Sequence, residues 1–123
     1  MNRDYEIRQR GRVGEDAVCA YLEKHGCSIT ARNYSSRYGE IDIIAENEVR
    51  IIFVEVKTRT VSSMAEGFES ITAAKVRKFL TTVEDYLMKH NTEKQPRADC
   101  AKVTVDDANN VIKIDYIKNA MGY

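Results

Sequence analysis

The chain has 123 residues, 43% of them hydrophobic, which is enough apolar material for one folded domain spanning residues 1–123. Nineteen Lys and Arg residues balance nineteen Asp and Glu residues, so the chain has no global positive field that would attract nucleic acid. The charge balance therefore argues against a protein that binds duplexes indiscriminately.

The composition also argues against secreted and membrane proteins. The first twelve residues, MNRDYEIRQRGR, are charged, and nowhere do about 18 apolar residues follow one another. Cys19, Cys27 and Cys100 are odd in number and lack zinc-ligand spacing, so we expect free thiols, two of them buried. These features predict a cytoplasmic protein without a membrane partner.

The first predicted element is a helix from about Val13 to His25, ended by Gly26. Its apolar stripe is expected to contain Val13, Ala17, Ala20 and Tyr21. Glu15 lies off this stripe, at the upstream end of a second, partly apolar face that could look toward a sheet. Gly11 and Gly14 either loosen the helix start or allow another backbone or a phosphate to approach closely.

Three strands are expected next: residues 27–34, a second strand that contains Asp42, and a third that ends near Arg59. A turn at residues 35–39 joins the first two strands. A polar loop should follow Arg59 and continue through Gly67. We expect this loop to border the functional site.

The second half begins with a long helix for which Thr72 is the predicted N-cap. Its apolar stripe is formed by Val76, Phe79, Leu80, Val83, Tyr86 and Leu87. A polar connection at 91–96 and strands at 98–105 and 111–117 complete the order α-β-β-β-α-β-β. This order predicts an α/β fold with a mixed central sheet, in which the first three strands are antiparallel and the second helix is a crossover.

Two carboxylates and an amine interrupt the apolar strands. Glu55 and Lys57 share one face of the third strand, where a charged group is costly unless it is paired or bound to a metal. Asp42 joins that face if odd positions of one strand pair with even positions of the other, or if a bulge intervenes. Asp42 and Glu55 are then suitable Mg²⁺ ligands, and Lys57 could orient a nucleophile. Alternatively, Glu55 and Lys57 form an exposed ion pair and Asp42 is solvated.

Basic residues near this region could contact phosphates. Arg12 and Arg59 are candidates, and Lys75 lies in the first turn of the second helix, where a bound phosphate is favoured. The alternative is that these are solvated side chains on ordinary polar faces.

The element order with Glu15, Asp42 and Glu55-x-Lys57 resembles the restriction-endonuclease-like superfamily with its PD-(D/E)xK motif. More closely, the chain resembles the small bacterial UPF0102 (YraN) family, which is itself similar to archaeal Holliday-junction resolvases. The matching positions extend over nearly the whole chain: Gly11, Gly14-Glu15, Tyr21-Leu22, Gly26, Arg32-Asn33, Gly39-Glu40-Ile41-Asp42, residues 53–59, Lys75, Asp99 and Asn119-Ala120.

The resemblance implies a restriction-endonuclease-like fold. It implies that Asp42 and Glu55 bind Mg²⁺ (or Mn²⁺), that Lys57 is the catalytic amine, and that Glu15 completes or supports the metal site. Ile41 replaces the proline that often precedes the aspartate. The family's Arg-aromatic-Asp pattern occurs here as residues 97–99 with Ala98 in the middle, so an aromatic contact is expected to be missing.

The leading hypothesis is therefore an endonuclease that acts on branched, flapped or single-stranded DNA in preference to RNA. A symmetric homodimer would supply two active sites for two cuts across a junction. A second hypothesis is a nucleic-acid-binding accessory protein that keeps a nuclease fold without efficient turnover. A third is an interaction protein whose acidic residues only form a structural ion-pair network.

Overall fold

A computed structural model of the protein describes residues 3–66 and 72–123. The elements in these ranges are α1 (Arg3–Lys24), β1 (Ser28–Ser36), β2 (Gly39–Glu46), β3 (Arg50–Thr60), a 3₁₀ helix (Val61–Glu66), α2 (Ala73–Lys89), β4 (Gln95–Val105) and β5 (Val111–Ile117).

The strands form one five-stranded sheet in the order β1-β2-β3-β4-β5. β1, β2 and β3 pair antiparallel, β4 joins β3 in parallel after α2, and β5 returns antiparallel. The predicted mixed α/β sheet with helices on it, in the order α-β-β-β-α-β-β, is confirmed.

Two apolar clusters hold the helices on opposite sides of the sheet. In the first, Val18 and Leu22 of α1 pack with Ile43, Val54 and other residues of the sheet. In the second, Phe79, Val83 and Tyr86 of α2 pack with Phe53 and other sheet residues. The alternation of β3 explains this division, because Val54 and Phe53 point to opposite sides. We refer below to the α1 side and the α2 side of the sheet.

Helix α1 is longer than the sequence predicted. It begins at Arg3 rather than near Val13 and continues through Gly11 and Gly14. The cost of two glycines is about 1 kcal/mol each, but Arg, Glu and Gln are good helix formers and Asp4 is an acid in the first turn. Sequence reasoning gave the glycines too much weight as helix breakers.

The buried face of α1 is the second predicted face, the one that begins at Glu15, rather than the predicted apolar stripe. It contains Gly14, Val18, Cys19 and Leu22, whereas Ala20 is exposed. A Cβ on Gly14 would lie 1.8 Å from Thr58 Oγ1. Gly14 is therefore a point of close approach between α1 and β3, and the group that comes near is a side chain rather than a backbone or a phosphate.

The segment after β3 is not a simple loop. Residues 61–66 form a 3₁₀ helix, and the rest of the predicted loop, to Gly67, lies outside the described residues. Strand β4 begins at Gln95 instead of residue 98, because its backbone N–H bonds to Val49 O and its first residues pair with β3. The predicted polar connection is correspondingly shorter.

The predictions for the N-cap of α2 and for the free cysteines are confirmed. Thr72 is the N-cap of α2 and its hydroxyl accepts the Lys75 backbone N–H at 3.1 Å. Cys19, Cys27 and Cys100 are free thiols, of which Cys19 and Cys100 are buried. Within residues 3–66 and 72–123, neither helix is long and apolar enough to cross a bilayer.

Candidate active site

Asp42 lies where strands β2 and β3 separate. The regular pairs run from Glu46 opposite Ile51 to Ile43 opposite Val54, so odd positions face even positions. This is the register that the sequence required to place Asp42 opposite Glu55. Beyond Ile43 the ladder ends, and Asp42 Oδ2 accepts the Val56 backbone N–H at 2.7 Å. A carboxylate thus takes the place of a backbone carbonyl.

The sheet changes its alternation at Asp42. Ile41 packs on the α2 side and Ile43 on the α1 side, although residues two apart on a regular strand face the same way. Strand β1 shows the same change next to Asp42, because Asn33 has a left-handed φ of 53°. This irregularity frees the Asp42 side chain to reach Val56 rather than stand in a regular row.

The surroundings of Asp42 disfavour its negative charge. Burial raises the pKa of this carboxyl from its ordinary value of 3.8 to about 6, although the Val56 N–H opposes the increase. The negative charges of Glu15, Glu55 and Glu40 raise the pKa further. A cation near Asp42 would relieve both the desolvation and the repulsion.

Glu55 and Lys57 form a close pair on the α2 side of β3. Lys57 Nζ lies 3.5 Å from Glu55 Oε1, and the two side chains are 27% and 22% exposed. Both charges therefore remain accessible to a ligand.

Glu15 lies near these groups but is oriented by a different partner. Its Oε1 is 3.5 Å from Arg32 Nη2, and the same Nη2 is 2.8 Å from Asp16 Oδ1. Across residues 3–66 and 72–123, no three or more His, Cys, Asp or Glu side chains are close enough together to hold a metal ion. The structure therefore does not gather Glu15, Asp42 and Glu55 into one ligand set, and Glu15 as a metal ligand stays a prediction.

Asp42 and Glu55 alone fit a hard divalent cation. Mg²⁺ commonly uses one or two protein carboxylates and completes its shell with water and substrate phosphate. The two residues supply oxygen donors, and Glu15, Glu55 and Glu40 add negative charge around Asp42, which a cation would offset. Asp42 and Glu55 would hold the ion, with Lys57 beside them.

Lys75 borders the Glu55 side of the site. A shallow cavity of about 160 Å³ lies between the start of β2, β3 and the first turns of α2. Its lining residues are Gly39, Glu40, Glu55, Lys75, Lys78 and Phe79. The predicted phosphate contact at Lys75 therefore faces the same space as a predicted metal ligand.

The other two basic candidates lie on different elements. Arg59 follows Lys57 on the same face of β3, whereas Arg12 is exposed on α1 and lines a separate cavity of about 240 Å³ with Tyr5, Arg8 and Gln9. The predicted nucleic-acid residues are thus divided between the α2 side of the sheet and α1.

Sequence reasoning did not assign a role to Glu40 or to the surroundings of Asp99. Glu40 lines the Lys75 cavity and acts on Asp42, and its position two residues before Asp42 was the available signal. Asp99 is fully buried and accepts hydrogen bonds from Arg97, from Tyr116 Oη at 2.6 Å and from the Asn119 N–H at 2.7 Å. Tyr116 reaches Asp99 from the α1 side, whereas Ala98 packs in the α2-side cluster, so this contact does not replace the aromatic residue that is missing at position 98.

Comparison with known proteins identifies the family. Residues 14–103 match the family model described as "Uncharacterised protein family UPF0102". The chain belongs to the UPF0102 family. A UPF0102 protein from Dichelobacter nodosus is 35% identical over 120 residues, covering 98% of this chain and 94% of its own length. One from Caldicellulosiruptor bescii is 37% identical over 116 residues, covering 93% and 98%.

A solved structure is a more distant match. It is an XisH family protein from Nostoc punctiforme, aligned with a TM-score of 0.37 and 18% identity over 85% of this chain and 98% of that chain. The part of this chain that matches the UPF0102 family model, residues 14–103, includes Glu15, Asp42, Glu55 and Lys57.

Proposed function

We propose that this UPF0102 protein is a metal-dependent endonuclease that hydrolyses phosphodiester bonds in branched, flapped or single-stranded DNA. The observation that carries the proposal is the position of Asp42. A partly buried carboxylate with a raised pKa, next to Glu55 and two further acids, is destabilising unless it serves a charged ligand.

A bound Mg²⁺ or Mn²⁺ would supply Lewis-acid stabilisation of the phosphate and a water of lowered pKa. Asp42 and Glu55 would bind the ion, and the Val56 N–H holds the Asp42 carboxylate in a fixed orientation. Lys57, 3.5 Å from Glu55, would orient the nucleophile and stabilise negative charge on the phosphate. The preference for DNA over RNA, and a symmetric dimer for two cuts, rest on the resemblance to junction resolvases.

A second candidate function is nucleic-acid binding without efficient turnover. It is favoured by the ion pairs that Glu15 and Glu55 form with Arg32 and Lys57, because these contacts offer each acid a partner other than a metal. This function requires the basic residues but not the catalytic amine.

Cleavage assays separate the two functions. Purified protein is incubated with labelled single-stranded, flapped, junction and duplex DNA and with RNA, in Mg²⁺, Mn²⁺ or EDTA. We expect metal-dependent cleavage that falls at least about 100-fold in Asp42→Asn and in Lys57→Ala. Glu48→Gln is the matched control. Glu48 is exposed in the β2–β3 turn, so this variant should cleave DNA normally.

The remaining outcomes are equally informative. Cleavage that persists in Asp42→Asn and Lys57→Ala would come from another site or a contaminant and would refute the proposal. Binding without cleavage that survives Lys57→Ala but is lost on charge reversal at Arg12, Arg59 or Lys75 would establish the accessory function. Neither binding nor cleavage would leave an interaction protein.

A further inference from the structure

The α2 side of the sheet carries cations beyond the carboxylate pair. Ala101 and Val103 of β4 pack in the α1-side cluster, so Lys102 between them faces the α2 side. Val56 packs against the same cluster, which places Lys57 on the α2 side as well. Lys57 and Lys102 are in-register partners on adjacent parallel strands. Their backbones are therefore about 5 Å apart with both side chains on one face.

Strand β5 extends this face. Ile114 and Tyr116 pack against the α1-side cluster, so Lys113 and Asp115 face the α2 side. Asp115 pairs with Lys102, and Lys113 pairs with the next residue of β4 on that face, Thr104. Lys113 is 64% exposed, and its Nζ is 3.5 Å from Asp115 Oδ1.

Two rows of side chains therefore cross the sheet from β3 to β5. The first row is Lys57, Lys102 and Asp115, and the second is Arg59, Thr104 and Lys113, of which Thr104 is buried. We call these six residues the cationic track. It holds four cations and one carboxylate, although the whole chain has no net charge.

The track is continuous with the candidate active site. Glu55 and Lys57 stand in successive positions on the same face of β3, so the track begins at the proposed metal ligand. Lys57 and Lys102 stand side by side on neighbouring strands, so one bound anion would contact both of them. A phosphodiester backbone carries one negative charge per nucleotide and has the charge and length to contact several of these cations.

We propose that Lys102 and Lys113 bind the phosphate backbone of a nucleic-acid strand that passes from Glu55 and Lys57 across β4 to β5. This inference rests on the proposed function and adds the course of the substrate strand. Lys102 and Lys113 position the strand, whereas the groups that act on the phosphate remain Asp42, Glu55 and Lys57.

The salt dependence of binding tests the track without requiring cleavage. Affinity for a fluorescein-labelled single-stranded oligodeoxynucleotide of mixed sequence is measured in EDTA at several salt concentrations. Each phosphate contact that is lost should reduce the slope of log K against log salt by about 0.7 and weaken binding about fivefold near 0.1 M salt. We expect Lys102→Ala/Lys113→Ala to reduce the slope by the amount of two lost phosphate contacts. Lys113→Ala alone, at an exposed position, should reduce the slope by half as much.

Two controls fix the meaning of the result. Lys24→Ala/Lys118→Ala removes two exposed lysines outside the track and should leave the slope unchanged, and Lys102→Arg/Lys113→Arg should retain it. An unchanged slope in the alanine double variant, or an equal decrease in the Lys24/Lys118 variant, would overturn the inference and leave the track to another anionic partner. Undetectable binding by the unmodified protein would also overturn it. Because EDTA prevents metal-dependent cleavage, the track can be supported even when the nuclease proposal fails.

Discussion

Replacement of Asp42 by asparagine should stabilise the protein at neutral pH. The asparagine amide would keep an oxygen that accepts the Val56 N–H, but it would carry no charge among Glu15, Glu40 and Glu55. The pKa of Asp42 rises from 3.8 to about 6 on folding, and each pKa unit corresponds to about 1.4 kcal/mol. The charged carboxylate therefore costs at most about 3 kcal/mol, which Asp42→Asn should recover above pH 6.

The direction of the pH dependence follows from the raised pKa. Between about pH 4 and about pH 6 the folded protein holds the Asp42 proton while the unfolded chain has released it, so folding is coupled to proton binding. The free energy of unfolding contributed by this residue therefore decreases as the pH rises through that window. The full cost is present above it and disappears below about pH 4.

Urea denaturation of the two proteins from about pH 4 to about pH 8 measures this effect. The difference between their unfolding free energies should grow with pH and then level off, because the other carboxylates contribute equally to both proteins. Mg²⁺ should stabilise the unmodified protein above pH 6 and have little effect on Asp42→Asn. Glu48→Gln is the control for loss of an exposed carboxylate and should show no such trend.

A difference that stays constant across this pH range would refute the reasoning, because it would mean that Asp42 titrates alike in the folded and unfolded states. An asparagine variant less stable than the unmodified protein near pH 8 in EDTA would also contradict it. That result would mean that the carboxylate stabilises the fold through the Val56 contact more than its charge destabilises it.

Three further substitutions test how the fold is built. Gly14→Ala should lower the free energy of unfolding by about 1–3 kcal/mol in chemical denaturation, because its Cβ would lie 1.8 Å from Thr58 Oγ1. Gly11 lies in the same helix with open space around it, so Gly11→Ala should raise the free energy of unfolding by about 0.5–1 kcal/mol. Equal effects at the two glycines would contradict the close approach of α1 to β3. Tyr116→Phe removes a donor to the buried Asp99 carboxylate and should cost about 1.5–3 kcal/mol in the same assay.

The matched control for Tyr116→Phe is Tyr5→Phe. Tyr5 is 50% exposed, so the loss of its hydroxyl should change the free energy of unfolding by less than about 0.5 kcal/mol. A Tyr116→Phe variant as stable as Tyr5→Phe would mean that the remaining Arg97 and Asn119 contacts satisfy Asp99 on their own.

The amino-acid sequence by itself determined the order of the elements and the pairing parity that β2 and β3 need for Asp42 to join Glu55. Hydrophobic period distinguishes helices from strands, and the two-residue period of a strand shows that Asp42 joins the Glu55 face only if odd positions pair with even ones, which is the register observed. The grouping of Glu55 and Lys57 follows from the same two-residue period. The apolar stripe and N-cap of α2 were predictable because both are local.

Tertiary structure alone decided what depends on contacts between distant residues. The close approach of α1 at Gly14 depends on Thr58, and the burial of Asp99 depends on Tyr116 from another strand. The orientation of Asp42 depends on the change of alternation beside Asn33, which no periodic pattern reveals. Local propensity and spacing specify elements and faces, whereas the environment of a charge is set by groups that only the folded chain brings together.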